Sequence, residues 1–179
     1  GTSNLYLLYE MATSTTLFAF IILILTTIVS VHAGTNASIT AVLSSNTVFC
    51  TFLPPTPGEY IADSELTGIA FCTSGTPGAV NILPDGFITS ANFAGDPSTY
   101  VQVTGKMNPD AYQLHHDDEG GQYDSNGSPP DASCSGFEYF VNLVEPNDEN
   151  YCIRCCHDKS DCPTNKSTEG CEKVIPGIY

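Results

Sequence analysis

Eight cysteines constrain the fold of this 179-residue chain more than any other feature of its sequence. An even number of cysteines in a short exported chain is typical of a disulfide framework. Two of them, Cys155 and Cys156, are adjacent, with Cα atoms only about 3.8 Å apart, whereas ordinary disulfides span roughly 4.4–6.8 Å. We therefore expect these two to form bonds in different directions. The predicted disulfide cysteines are Cys50, Cys72, Cys134, Cys152, Cys155, Cys156, Cys162 and Cys171.

The pairing of these cysteines is mostly open at the level of sequence. Cys50 with Cys72 is the favoured pair, because both lie in neighbouring strand-like segments. The cluster from Cys152 to Cys171, which also contains His157, admits a second interpretation as a zinc site, since thiolates in CxxC pairs suit tetrahedral zinc. An oxidising compartment favours disulfides over that alternative.

Export is predicted from the N-terminal segment. Residues 1–10 resemble an upstream remnant, and residues 11–33 are typical of a signal peptide. The apolar run, residues 17–31, is shorter than the roughly 20 residues that a membrane span requires, and Val31-His32-Ala33 has the spacing of a cleavage site. A membrane anchor is the alternative, and the absence of Lys or Arg before the run is atypical of a signal peptide. Residues 34–179 are then a single secreted, extracellular β-rich domain that has no membrane contact after cleavage.

The charge balance excludes one class of partner. The chain has 20 acidic and 5 basic residues, for a net charge of −15. Because binding to nucleic acid requires basic groups that neutralise phosphates, we expect no nucleic-acid partner. Three sequons, at Asn36, Asn126 and Asn165, predict a glycoprotein, although Pro129 after the second reduces its use.

Short apolar segments between turn residues predict an all-β fold, a disulfide-reinforced antiparallel sandwich or barrel with long loops. One segment is expected to end at Pro146 and to return as a hairpin, because proline removes a backbone donor. The candidate strands are residues 38–43, 48–53, 68–73, 79–83, 87–93, 100–106, 137–144 and 151–154.

Two of these segments alternate with the period of a strand. In residues 100–106, Val101 and Val103 face one side of the predicted strand, opposite Tyr100, Gln102 and Thr104. In residues 137–144, one face is predicted to carry Phe137, Tyr139, Val141 and Leu143.

A long polar segment, residues 115–135, is expected to be a functional or disordered loop. Its carboxylates would favour calcium, which is the one cofactor that the sequence suggests. Its two imidazoles would favour a transition metal. A solvated acidic loop is the simpler interpretation. Paired carboxylates here could also hydrolyse a glycan, but no Gly-x-Ser-x-Gly elbow is present and every cysteine can be paired, so we expect no enzyme. The candidate metal ligands are His115, His116, Asp117, Asp118, Glu119 and Asp124.

Several motifs together resemble a known group of proteins. They are Phe49-Cys50 with Leu53-Pro54-Pro55, Ala70-Phe71-Cys72, Pro84-Asp85-Gly86-Phe87, residues 100–105 and 120–124, and most densely residues 140–177, with Cys152-Ile-Arg-Cys155-Cys156 and Val174-Ile-Pro-Gly177. With these motifs the chain resembles secreted, cysteine-rich fungal proteins without an assigned activity, some of which are labelled macrophage-activating glycoprotein. The resemblance implies a secreted fungal glycoprotein and no particular chemistry. Some of those proteins continue past the Ile-Pro-Gly segment, so the chain is expected to be a soluble form or part of a longer protein.

The expected function is therefore that of a secreted, non-catalytic extracellular glycoprotein of fungal type, associated with a wall or matrix. Its expected partners are cell-wall polysaccharide or other copies of itself. Two alternatives remain open, a carboxylate-dependent hydrolase that acts on glycans and a calcium-binding extracellular domain.

Overall fold

A computed structural model describes residues 37–179 of the chain. The expected upstream remnant (residues 1–10), signal peptide (residues 11–33) and sequon at Asn36 lie outside the described residues. Within residues 37–179, no helix combines the length and the apolar character that crossing a membrane requires.

Strands make up most of the regular structure of the described residues. Short 3-10 turns lie between them, at Ala37–Ile39, Ala62–Ser64, Pro109–Tyr112, Pro146–Asp148 and Lys159–Asp161, and a one-turn α-helix follows at Cys171–Val174. In chain order the strands are Thr40–Ala41 (β1), Cys50–Leu53 (β2), Ile69–Cys72 (β3), Asn81–Ile82 (β4), Asn92–Asp96 (β5), Tyr100–Lys106 (β6), Gly121–Asp124 (β7), Ser133–Cys134 (β8), Tyr139–Glu145 (β9) and Asn150–Cys156 (β10).

The main sheet has five strands in the order β5-β6-β10-β9-β7, and each neighbouring pair is antiparallel. Its centre is the hairpin of β9 and β10, in which Glu145 pairs with Asn150 and Tyr139 pairs with Cys156. Pro146 opens the 3-10 turn between the two strands, where its fixed φ is suitable and its missing donor is not needed. The hairpin predicted around this proline is confirmed.

Two smaller sheets complete the fold. Strands β2, β3 and β4 form one of them, in which β2 and β3 are antiparallel and β3 and β4 are parallel. Strands β1 and β8 form a parallel pair. No sheet of the described region closes into a barrel, because β5 and β7 are the two edges of the main sheet. The predicted disulfide-reinforced all-β fold is confirmed, with two parallel pairs added to the expected antiparallel ones.

One face of the main sheet packs against the three-stranded sheet. The Phe52 ring stacks on Phe140 with centroids 5.0 Å apart, and Phe49 stacks on Tyr151 at 5.9 Å. All four side chains are buried. These rings bury a large apolar surface between the two sheets, because each aromatic side chain has a large area.

Asn142 connects the two sheets within this core. It is fully buried on β9, and its Oδ1 accepts hydrogen bonds from the Phe52 backbone N at 2.6 Å and from Thr51 Oγ1 at 3.1 Å. Its Nδ2 donates to the Cys152 carbonyl oxygen at 2.9 Å. A buried amide with all of these partners satisfies backbone groups of both sheets and fixes their relative position.

The opposite face of the main sheet is covered by the C-terminal segment, residues 157–179. Gln102 and Thr104 donate hydrogen bonds to the carbonyl oxygens of Pro176 and Ile178, at 2.9 and 2.7 Å. The side chains buried on this face are Val141, Leu143, Cys152, Cys156, Cys162, Cys171, Val174 and Ile175.

The alternation predicted for β6 is confirmed. Val101 and Val103 lie in the core between the two sheets, which we call the first core, and Tyr100 packs against the apolar cluster on the opposite face. On β9, Tyr139 lies on the covered face as predicted. Phe137 does not, because the strand begins only at Tyr139 and Phe137 packs against the first core.

All eight cysteines are paired, as Cys50–Cys72, Cys134–Cys155, Cys152–Cys171 and Cys156–Cys162. The favoured pair, Cys50 with Cys72, is confirmed. Adjacent cysteines on β10 bond in different directions, as expected, because successive side chains of a strand point to opposite faces. The alternative zinc site is not formed, since each of these sulfur atoms is bonded to another sulfur.

The prediction that residues 115–135 form only a loop is wrong, because they contain β7 and β8. In β7, Tyr123 is fully buried with its hydroxyl 2.6 Å from Ser64 Oγ, and Gly68 lies against its ring, where a Cβ would not fit. Gln122 is also buried, and its Nε2 donates to Asp124 Oδ2 at 2.6 Å and to the Thr164 carbonyl oxygen at 2.8 Å. The sequence does not reveal this strand, because its buried polar side chains resemble those of a loop and are hydrogen-bonded inside the protein.

The strand predicted at residues 87–93 is displaced along the chain to Asn92–Asp96. Ser90 explains the difference, because its Oγ accepts a hydrogen bond from the Lys106 backbone N at 2.7 Å. Its carbonyl oxygen accepts another from the Tyr151 hydroxyl at 2.9 Å. These contacts fix Ser90 beside the ends of β6 and β10 through its side chain and its carbonyl oxygen. Regular backbone pairing with β6 therefore begins only at Asn92.

We expect Asn142→Ala to lower the free energy of unfolding by about 3 kcal/mol, because it leaves the buried Phe52 N–H without its acceptor and removes a hydrogen bond to the Cys152 carbonyl. Thr51→Val, which removes only the hydrogen bond from Thr51 Oγ1 to Asn142, should lower the free energy of unfolding by about 1 kcal/mol. Denaturant unfolding measures both changes. Asn147→Ala, at an exposed residue of the neighbouring turn, is the control and should have little effect. An Asn142→Ala protein as stable as the wild type would contradict the bridging role.

Candidate functional site

The part of the long polar segment that carries the candidate metal ligands, residues 115–124, is called the acidic segment here. It lies against the loop that contains Tyr60. The His115 ring stacks on the Tyr60 ring, with centroids 4.5 Å apart and an interplanar angle of 12°. His115 Nε2 lies 2.9 Å from the carbonyl oxygen of Gly58, which holds the imidazole in place. His116 faces elsewhere, with its Nε2 2.9 Å from Asp110 Oδ1. The two histidines predicted as ligands therefore have different partners.

Two of the predicted carboxylates serve the backbone. Asp118 is 4% exposed, and its two oxygens accept hydrogen bonds from the backbone N atoms of Ile61, at 2.9 Å, and Gly120, at 2.8 Å. Asp124 is 6% exposed and accepts from the Asn126 backbone N at 2.7 Å. Both carboxylates hold loops in place, because a charged acceptor makes a strong hydrogen bond to a backbone N–H.

The predicted ligands do not converge on one point. Throughout residues 37–179, no three side chains of His, Cys, Asp or Glu are placed so that they could hold a metal ion. The calcium site stays a prediction that this geometry does not favour. The same is true of the hydrolase alternative, since Asp118 and Asp124 are already engaged by backbone donors.

The remaining groups form an exposed surface that we call the Tyr60–His115 face, made of Tyr60, His115 and Asp117. Tyr60 is 40% exposed, and both His115 and Asp117 are exposed. The negative charge of Asp117 is the main cause of the raised pKa of the Tyr60 phenol, with smaller contributions from burial and Asp118. A neutral phenol beside an exposed carboxylate presents an apolar ring, a donor and an acceptor together.

Tyr60 was missed in the sequence, because it is far from residue 115 along the chain and no motif links the two. Its exposure and its contact with His115 are set by the tertiary structure. The two sequon asparagines within the described residues, Asn126 and Asn165, are exposed, so a glycan could be attached at either without disturbing the core. Their glycosylation stays a prediction.

Comparison with known proteins gives matches in one organism. No known family profile and no solved structure matches the chain. Appressorium protein ROW2 of Mycosarcoma maydis is 29% identical over 149 residues, which cover 73% of this chain and 51% of that protein. Appressorium protein ROW1 of the same fungus is 28% identical over 160 residues, which cover 78% of this chain and 37% of that protein.

The chain is similar to fungal appressorium proteins. It spans about half the length of ROW2 and 37% of the length of ROW1. The fungal resemblance expected from the cysteine and proline motifs is confirmed at this level. Neither matched protein is named as a macrophage-activating glycoprotein, so that label stays a prediction.

Adjacent residues of the acidic segment should have different roles, since Asp118 holds the backbone in place and the exposed Asp117 does not. We expect Asp118→Ala to lower the free energy of unfolding by about 2 kcal/mol, because the Ile61 and Gly120 N–H groups lose a charged acceptor. Asp117→Ala removes the same charge from an exposed residue and should leave stability unchanged. Thermal and denaturant melts of the two variants distinguish them. Equal effects of the two substitutions would contradict this division.

Proposed function

We propose that this protein is a secreted, non-catalytic fungal glycoprotein that acts outside the cell and binds cell-wall polysaccharide. The Tyr60–His115 face carries this proposal. A sugar ring has apolar C–H faces and a rim of hydroxyl groups, so it is complementary to an exposed aromatic ring beside a carboxylate. The chain has no Trp, and Tyr60 takes the place of the usual sugar-stacking residue.

Three further observations support the extracellular assignment. Four disulfides are typical of proteins that fold in an oxidising compartment. The apolar segment at residues 17–31 has the features of an export signal. The relatives ROW1 and ROW2 are fungal proteins named for the appressorium.

Support for a non-catalytic role comes from the side chains that are already engaged. All the cysteines are in disulfides, so none is available as a nucleophile. The buried carboxylates of the acidic segment accept hydrogen bonds from the backbone, and freeing them for acid–base work would disrupt the loops that they hold.

Self-association is a second candidate function, and the edge of the small sheet favours it. Strand β4 pairs only with β3 among the described strands. Ile82 on this strand and Val80 just before it are 47% and 60% exposed. An apolar edge strand with free backbone groups can pair with the same strand of a second copy.

We expect Tyr60→Ala to weaken polysaccharide binding at least tenfold, about 1.4 kcal/mol, because the stacking surface is lost. Binding to a soluble β-1,3-glucan and to an N-acetylglucosamine hexamer can be measured by calorimetry with the purified glycoprotein. Tyr60→Phe, which keeps the ring, should retain most of the affinity. Leu66→Ala removes another exposed apolar side chain and is the control.

The two outcomes that would overturn the polysaccharide proposal are clear. Failure of the wild-type protein to bind either glycan would remove it. Equal binding by the wild type and Tyr60→Ala would show that the sugar is held at another surface.

If the protein self-associates through β4, Ile82→Lys should shift it to the monomer, because a buried ammonium at a strand–strand contact is costly and like charges oppose one another. Sedimentation velocity over a range of concentrations measures the shift. Leu66→Lys places the same charge on an exposed residue outside the strands and should leave the distribution unchanged. A monomeric wild-type protein at high concentration would exclude this second candidate.

A further inference from the structure

A polar pocket lies at one end of the main sheet, and none of the residues that line it belongs to the acidic segment. It has a volume of about 390 Å³, within the usual range for small-ligand sites. Three of its residues, Lys106, Asn150 and Glu145, are direct neighbours across strands β6, β10 and β9. Asp148 of the hairpin turn and residues 169–173 form the rest of the wall.

The pocket contains a buried acceptor that lacks a partner. Asn150 is 5% exposed, and its Oδ1 makes no hydrogen bond with any described residue. Buried polar atoms are almost always hydrogen-bonded, so an orphaned one in a pocket wall indicates a missing partner. Since Oδ1 is an acceptor, the missing partner must be a hydrogen-bond donor.

A buried carboxylate next to Asn150 has the same requirement. Glu145 is 9% exposed, and its Oε2 accepts a hydrogen bond from the Cys171 backbone N at 3.1 Å. Burial is the main cause of the raised pKa of Glu145, and the charges of Asp148 and Glu172 raise it further, while the Cys171 N–H and Lys106 lower it. A positively charged donor in the pocket would offset the energetic cost of burying this carboxylate in its ionised form.

The wall that carries Cys171 is fixed in place. The disulfide Cys152–Cys171 ties the one-turn helix to β10, two residues after Asn150. A preformed site loses little conformational freedom when a ligand binds, and this favours affinity.

The charges of the pocket select a cation. Its residues include four carboxylates, of Glu145, Asp148, Glu169 and Glu172, against the ammonium groups of Lys106 and Lys173. Lys106 Nζ is held at 3.0 Å from the Asp148 carbonyl oxygen, and Glu169 pairs with Lys166 at 3.3 Å. Within residues 37–179 no three such carboxylates are close enough to hold a metal ion, so a larger cation with several donors fits better.

We propose that this pocket binds a ligand with a protonated primary amine, which donates to Glu145 and Asn150 while Asp148 and Glu172 attract its charge. Amino sugars and aliphatic polyamines share this chemistry. The pocket is separate from the Tyr60–His115 face, so the inference does not depend on the proposed polysaccharide function.

Calorimetric titration of the purified full chain tests this proposal with three probes, a glucosamine tetramer, spermidine and an N-acetylglucosamine tetramer. In the Tyr60→Ala protein, which lacks the proposed polysaccharide site, we expect at least one amine to bind and the acetylated sugar, which lacks the positive charge, to bind at least tenfold more weakly. Tighter binding of the glucosamine tetramer would identify an amino sugar as the source of the amine, and tighter binding of spermidine a polyamine.

Variants at the exposed rim avoid the risk of unfolding the protein. The double variant Asp148→Asn, Glu172→Gln should weaken amine binding at least tenfold. Glu149→Gln removes a charge from the same turn but outside the pocket, and it should change affinity less than twofold. Tyr60→Ala should leave amine binding unchanged.

The proposal would be overturned if neither amine bound, or if the acetylated tetramer bound the Tyr60→Ala protein as tightly as the amine. It would also be overturned if Glu149→Gln weakened binding as much as the rim variant, because attraction to the overall negative charge would then explain the result.

Discussion

Strand β10 holds cysteines on both of its faces, and the rest of the structure depends on this arrangement. Side chains alternate along a strand, so Cys155 points into the core between the sheets while Cys152 and Cys156 point to the opposite face. Cys155 is bonded to Cys134 on β8, and the other two are bonded to Cys171 and Cys162 of the C-terminal segment. A native disulfide typically adds about 2–4 kcal/mol, in a model that is disputed. The central strand β10 therefore holds β8 on one face of the sheet and the C-terminal segment on the other.

This covalent support allows the outer face of the sheet to be polar. Gln102, Thr104, Gln122 and Arg154 would be poor core residues, yet each bonds to the sheet or to backbone carbonyls of the C-terminal segment. The segment itself has little regular structure, and two disulfides together with the buried Val174 and Ile175 secure it. One result is a pocket at the end of the sheet in which Asn150 keeps an unpaired acceptor.

Acceptors dominate both candidate surfaces. Some carboxylates act within the fold, such as Asp118 and Asp124, which hold loops, and Glu65, which accepts from the Gln122 backbone N at 2.9 Å. Many of the others are exposed, and the chain has few basic groups to pair with them. Both proposed ligands, a hydroxyl-rich polymer and an amine, donate hydrogen bonds, and we propose them for this reason in an acidic protein. The similar fungal proteins ROW2 and ROW1 are each about twice as long as the matched region or longer.

Local features of the sequence predicted the all-β class, the β9–β10 hairpin, the Cys50–Cys72 pair and the divergence of Cys155 from Cys156. Each of these depends on neighbours along the chain, on strand alternation, or on the bond geometry of adjacent residues. Strand β7 was missed because Gln122 and Asp124 look like loop residues until their buried partners are known. Tertiary structure alone decided which acidic side chains are engaged and which are free. It also brought Tyr60 to His115, and Glu145 to Cys171, because residues far apart in the chain meet only when the sheets pack.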